Sequence, residues 1–258
     1  MQIDFGKTAK DYGQYRAGFP DAFFERLAES GVGQPGQRLL DLGTGTGTVA
    51  RGLAGQGCHV TAIDPSPQLL DQARQLDVQA GVQVNYLVAR AEDTGLANRQ
   101  FDVVTAGQCW HWFDRPRAAQ EAMRLLVPGG YLVIAHYDWI PLPGNVVEMT
   151  EQLILKHNPQ WSMSGGTGLY PAWLTDVAVA GFSDLRTFSF DSCAIYTHES
   201  WRGRIRASAG VAASLEPEQV AQFDAELQTL LEARFPADYL CVDHRVFALI
   251  CQRPTDAL

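Results

Sequence analysis

The run LLDLGTGTGTVA, residues 39–50, sets glycines at 43, 45 and 47 directly behind a short apolar segment. Glycine gives up the most backbone freedom on folding and is normally kept out of element interiors. Three of them between an apolar run and a helix-like stretch mark a turn whose backbone comes close to a neighbour or a ligand. Strand, glycine-rich turn and helix in that order open a doubly wound α/β sheet. The next apolar run, HVTAID, ends in Asp64. A carboxylate at that strand tip can accept hydrogen bonds from both hydroxyls of a ribose. Two plainer readings stay open: a tight turn with no ligand, and an Asp64 that caps the helix opening in PSPQLL. Together, the turn and the acid favour a nucleoside.

The rest of the chain fits that beginning. RLLDLG (38–43), HVTAID (59–64), VNYLVAR (84–90), FDVVTAG (101–107) and YLVIAHY (131–137) read as strands. TVARGLAGQG (48–57), SPQLLDQARQLDVQAG (66–81) and RPRAAQEAMRLLVPGG (115–130) read as helices between them. That alternation implies a parallel sheet with helices on both faces. Residues 138–171 break the rhythm with Pro, Gly, Trp and Ser, and read as an insert that covers something. A helix at 172–182, a strand at 184–191, two helices and a last strand at 244–252 complete the layout, which we read as a single domain over 1–258.

Composition narrows the partners. At 258 residues, 46% apolar and 19% charged, the chain has ample material for one core. A net charge of −9 argues against a duplex nucleic-acid partner, which needs clustered positive charge. Five scattered cysteines, never spaced C-x-x-C, predict neither a disulfide framework nor a zinc site. The opening MQIDFGKTAKDYGQYRAGF lacks a signal-peptide core and the apolar runs are strand-length, so a cytoplasmic protein without a membrane anchor is expected. A homodimer is one assembly open to it.

The acid two positions before the first glycine sharpens the ligand. Asp41 would repel a pyrophosphate, and G-x-G-x-G departs from the dinucleotide pattern G-x-G-x-x-G. A nucleoside with a cationic end and no phosphate, S-adenosylmethionine, suits it better. LLDLGTGTGTVA, VTAIDPSPQLLDQAR, ARAEDTGLANRQFDVVTAGQCWHWF and LLVPGGYLVIA together resemble the class I S-adenosylmethionine-dependent methyltransferases, in their small-molecule group. The resemblance in motifs covers about residues 38–135. It implies a Rossmann-like seven-stranded sheet, order 3-2-1-4-5-7-6, with strand 7 antiparallel and a helical insert after strand 5. It implies S-adenosylmethionine as cofactor, Asp41, Gly43, Thr44 and Gly45 along the methionine end, and Asp64 with Pro65 at the ribose. Ala91 and Glu92 would edge the adenine, and the backbone at Gln108 would face the methionine group. Arg90 stands where the family often has Asp, so no side-chain contact is carried over there. Tyr12, Tyr15 and Arg16 match a segment that closes over the cofactor, Arg16 being either a carboxylate partner or a surface residue.

The expected activity is methyl transfer to an O, N or C atom of a small organic acceptor. The alternatives are an S-adenosylmethionine-binding enzyme of other chemistry, or an RNA or protein methyltransferase. His111, in GQCWHWFD after the fourth strand, is the candidate base, since imidazole titrates near neutrality; its plainer role is to brace the loop. Tyr137 opens the insert beside His136, Asp138 and Trp139 and is a second catalytic candidate. Trp110 and Trp112 offer an aromatic wall or core packing, Asp114 a helix cap, and Tyr170 and Trp161 a cover over an acceptor. Arg202 and Arg206 share a helix face that Arg204 does not; a solvated face is expected there, with substrate recognition the other reading. Residues 138–171 and 192–243 are expected to form the acceptor pocket.

Overall fold

The computed structural model describes residues 18–212 and 214–255. Its seven strands run β1 (Arg38–Leu42), β2 (His59–Asp64), β3 (Asn85–Val88), β4 (Phe101–Gly107), β5 (Leu126–Trp139), β6 (Ser183–Thr197) and β7 (Tyr239–Gln252). They form one sheet in the order β3-β2-β1-β4-β5-β7-β6. β1 pairs in parallel with both β2 and β4, Leu39 facing Val60 on one side and Val103 on the other. β7 runs against β5: Gly129 bonds Arg253 at one end, and Ile140 bonds Asp243 at the other. Both central strands are buried along nearly their whole length, which explains why RLLDL and FDVVTAG read as continuous rather than alternating apolar runs.

Helices α1 (Asp21–Glu29), α2 (Thr48–Gly55), α3 (Pro67–Ala80), α4 (Arg115–Leu125), α5 (Val146–His157), α6 (Ala172–Val179), α7 (His198–Arg206) and α8 (Pro217–Arg234) fill the connections. Their ends carry the chemistry that starts and stops helices. Ser66 caps α3 through Leu69 N–H ahead of Pro67, and Gly81, at φ +67°, ends it. Asp114 caps α4 through Arg117 N–H, and Asn145 caps α5 through Glu148 N–H. Among the described residues no helix is long and apolar enough to cross a membrane.

Three local expectations differ. The helix expected over 115–130 stops at Leu125, because Pro128 has no N–H to donate and Gly129 sits at φ +79°. Residues from Leu126 join β5 instead, with a register shift opposite Phe101–Val103. β6 and β7 are longer than their sequence patterns suggested. Cys193 and Cys241 are disulfide-bonded across neighbouring strands β6 and β7, with Cα atoms 5.4 Å apart. Their separation of 48 residues carries no recognisable spacing, so the pairing is a product of strand adjacency.

The chain divides into two compact units. One comprises Gly18–Tyr137, Leu169–Phe190 and the chain from Val246; its core includes Leu40, Ile63, Val104, Trp110, Trp173 and Phe247. The other comprises Asp138–Gly168 and Asp191–Arg245, and has its own core around Trp139, Ile154, Trp201, Phe223 and Leu227. β5, β6 and β7 each contribute residues to both units.

Candidate functional site

The glycine-rich turn is held by two buried carboxylates. Asp41, at the end of β1, accepts from Thr105 Oγ1 on one oxygen and Thr44 Oγ1 on the other, each at 2.6 Å. Asp64, at the end of β2, accepts from Gly45 N–H and Ser66 N–H, each at 2.9 Å. Ser66, not Asp64, is therefore the cap of α3. Burial pushes the Asp41 carboxyl up to about 6, against the pull of its two hydroxyl donors, and the nearby Asp64 charge adds to the rise. Burial raises Asp64 as well, against two backbone donors.

Each glycine has a distinct cause. Gly43, Gly45 and Gly47 all have positive φ, +59°, +56° and +80°. A Cβ on Gly47 would lie 2.6 Å from the Tyr86 hydroxyl, which donates to Asp77, itself paired with Arg51 at 3.0 Å. A Cβ on Gly43 would meet Phe113 at 2.8 Å and Cys109 at 3.1 Å. Protein side chains thus demand the outer two glycines, while Gly45 lends its N–H to Asp64.

Around this turn, Ala91 is buried and Pro65 exposed. Glu92 accepts from Asp114 N–H at 3.0 Å and lies 3.4 Å from Arg90 Nε, so it ties the loop after β3 to the start of α4. Gln108 holds φ +65° with its N–H on Ala135 O, a strained conformation for a residue with a side chain, directly after β4. Tyr12, Tyr15 and Arg16 lie outside the described residues.

The loop after β4 makes one turn of 3-10 helix, Trp110–Trp112. Trp110 is core: fully buried, it donates from Nε1 to Asp176, which also pairs with Arg115. Trp112 stays exposed. Cys109 donates its thiol to Leu42 O and packs inside. His111 sits between Trp112, 4.5 Å away, and His136, 5.2 Å away, between ring centroids. His136 Nδ1 is hydrogen-bonded to the Tyr170 hydroxyl at 3.2 Å, and Tyr170 stacks on Trp173 at 4.1 Å. His111, His136 and Tyr170 are therefore brought together, although 34 residues separate the last two. Tyr137, one position along the pleat from His136, points to the opposite face and packs near Phe19, with ring centroids 6.0 Å apart. Trp161 is not a cover; it belongs to the second unit's own core.

The donor set fits a nucleoside with a cationic end. The two buried carboxylates, with Asp64 close enough to raise the cost of charging Asp41, have no ion-pair partner among the described residues. A phosphate would add to that repulsion and a sulfonium or ammonium would relieve it.

Comparison with known proteins agrees. Residues 40–134 match the family model described as a methyltransferase domain. The chain is 36% identical over 132 residues to an uncharacterised methyltransferase of Mycobacterium tuberculosis, and that match spans about half of each chain, 51%. It is 31% identical over 182 residues to a ubiquinone biosynthesis O-methyltransferase of Xanthomonas campestris, which covers 69% of this chain and 73% of that one. The fold matches a phosphoethanolamine N-methyltransferase of Haemonchus contortus, solved with S-adenosylhomocysteine, at a TM-score of 0.59 and 20% identity, over 98% of this chain and 60% of that one. With its strand order, glycine-rich turn and these relatives, the chain belongs to the class I S-adenosylmethionine-dependent methyltransferases.

Proposed function

We propose that this protein transfers the methyl group of S-adenosylmethionine to an O, N or C atom of a small organic acceptor. The observation that carries the reading is the pair of buried carboxylates, Asp41 and Asp64, that grip the glycine-rich turn with no ion-pair partner among the described residues. Asp64 keeps acceptor capacity for ribose hydroxyls, and Asp41 stands at the cationic end with Gly43, Thr44 and Gly45. Ala91 and Glu92 edge the adenine and Gln108 presents its backbone, while Pro65 flanks the ribose. Tyr12 and Arg16 are proposed to complete the cofactor site. When bound, the cofactor supplies a methyl group made electrophilic by its sulfonium.

The protein's remaining tasks are alignment and proton removal. His111 would take the proton from an acceptor placed beside it. His136, fixed by Tyr170, orients the His111 ring from one side and Trp112 from the other. Tyr137 is retained only as a secondary catalytic candidate, because its ring packs near Phe19 on the other face of β5. Residues 138–171 and 192–243 are the proposed acceptor-pocket segments. A small acceptor rather than a nucleic acid fits the chain's negative charge; a cytoplasmic location and a homodimer are part of the same proposal on other grounds.

His111→Ala tests the assignment of the base. Transfer should slow by about 10²–10⁴-fold while cofactor affinity in calorimetry holds. A variant that works at full speed would remove His111 from the mechanism.

A further inference from the structure

The three arginines of α7 divide in a way their spacing does not reveal. Arg202 and Arg206, which share a face, both grip Asp224 of α8, Arg206 at 2.7 Å. They join two helices and are spoken for. Arg204 points elsewhere, into the interior of its own unit. Its guanidinium lies over the Trp139 ring, 4.7 Å from the centroid, with Tyr196, Asp138 and His244 as further neighbours.

Arg204 is short of acceptors. A guanidinium has five N–H donors in a rigid fork. Among the described residues the Tyr196 hydroxyl is an electrostatic neighbour that itself makes no hydrogen bond, and no carboxylate lies within ion-pair distance of Arg204. Asp138 acts on it through its field alone. The Tyr196 side chain is itself buried, with its hydroxyl oxygen shielded from solvent. The His244 ring donates Nδ1–H to Val242 O, and burial beside Arg204 pushes its pKa down to about 4, so it adds no second cation near neutrality. Protein surrounds Arg204, yet part of its surface still reaches solvent. A buried cation with unused fork donors and an aromatic floor is built for a planar anion that brings two oxygens.

We propose that Arg204 is an anion-binding residue that takes the carboxylate of an aromatic or otherwise planar acid, with Trp139 against the guanidinium and Tyr196 beside it. Arg204→Lys would keep the charge and lose the fork, while Arg204→Met would lose both.

The test uses the full chain, with sodium benzoate as the anionic probe and benzamide as its neutral match, in calorimetry at fixed ionic strength. Wild type should bind benzoate at least about tenfold more tightly than benzamide, and Arg204→Lys should lose about fivefold or more of that preference. Arg204→Met should abolish it, whereas Arg202→Gln should keep it. If Arg204→Met does not fold, the lysine variant decides, together with the thermal shift of wild type by benzoate against benzamide. Equal binding of the two probes by wild type, or a preference that survives in Arg204→Lys and Arg204→Met, would overturn the proposal. S-adenosylhomocysteine binding is measured on the same samples. Binding of that product without benzoate preference overturns the Arg204 assignment alone; benzoate preference without it overturns the methyl-transfer reading and leaves Arg204 as an anion site.

Discussion

At the residue scale, Asp41 carries the most easily read consequence. Its carboxyl titrates at about 6 in the fold, against 3.8 in water, because burial penalises the charge more than Thr44 and Thr105 favour it. The folded chain thus holds a proton there that the unfolded chain has released. Its contribution to stability is full below pH 4 and falls as pH rises toward 6. Cofactor binding should move the other way, since the charged carboxylate attracts a sulfonium. Affinity should rise by up to about tenfold between pH 5 and 7, and a Thr44→Val, Thr105→Val double variant should shift that rise to higher pH. A flat profile in calorimetry would remove Asp41 from the cationic end. Asp64→Ala should cost about 1–3 kcal/mol of cofactor binding, and unchanged binding would remove it from the ribose.

At the element scale, the turn between β1 and α2 is a packing device as well as the proposed ligand cradle. Gly47 sits at φ +80° against the Tyr86 hydroxyl, which the Asp77–Arg51 pair holds in place. Gly47→Ala should therefore lower stability by about 1–3 kcal/mol, read by urea unfolding, before any effect on ligand is considered. This is also where the sequence was most legible. The GTGTG run, Ser66-Pro67 and Asp114 act locally, through glycine geometry and caps, so their positions could be read from neighbours in the chain. α1 went unread, because its buried stripe is only Phe23 and Leu27. The β5 start was misplaced because LLVPGG carries helix and strand signals together, and pairing with β4 decides between them. His136 beside His111, Tyr170 on His136 and Arg204 on Trp139 depend on contacts between distant segments, which no local pattern encodes.

At the scale of the whole molecule, two cores share three strands, and the Cys193–Cys241 bond staples β6 to β7 within the smaller unit. With that bond formed, thiol titration under denaturing conditions should find Cys58, Cys109 and Cys251 and no others, and reduction should release two more. Reduction should also cost about 2–4 kcal/mol of stability. Five free thiols in protein purified without reductant would instead favour the cytoplasmic location. Neither outcome touches the proposed chemistry, which assigns roles to the turn, its two carboxylates and His111. The direct test is to incubate the protein with methyl-labelled S-adenosylmethionine and fractionated small-molecule extracts, following S-adenosylhomocysteine and label by mass spectrometry. The account predicts S-adenosylhomocysteine in equal amount to a labelled product, lost together in His111→Ala. A fraction consumed while S-adenosylmethionine stays intact would contradict it and identify an enzyme that binds the cofactor for other chemistry.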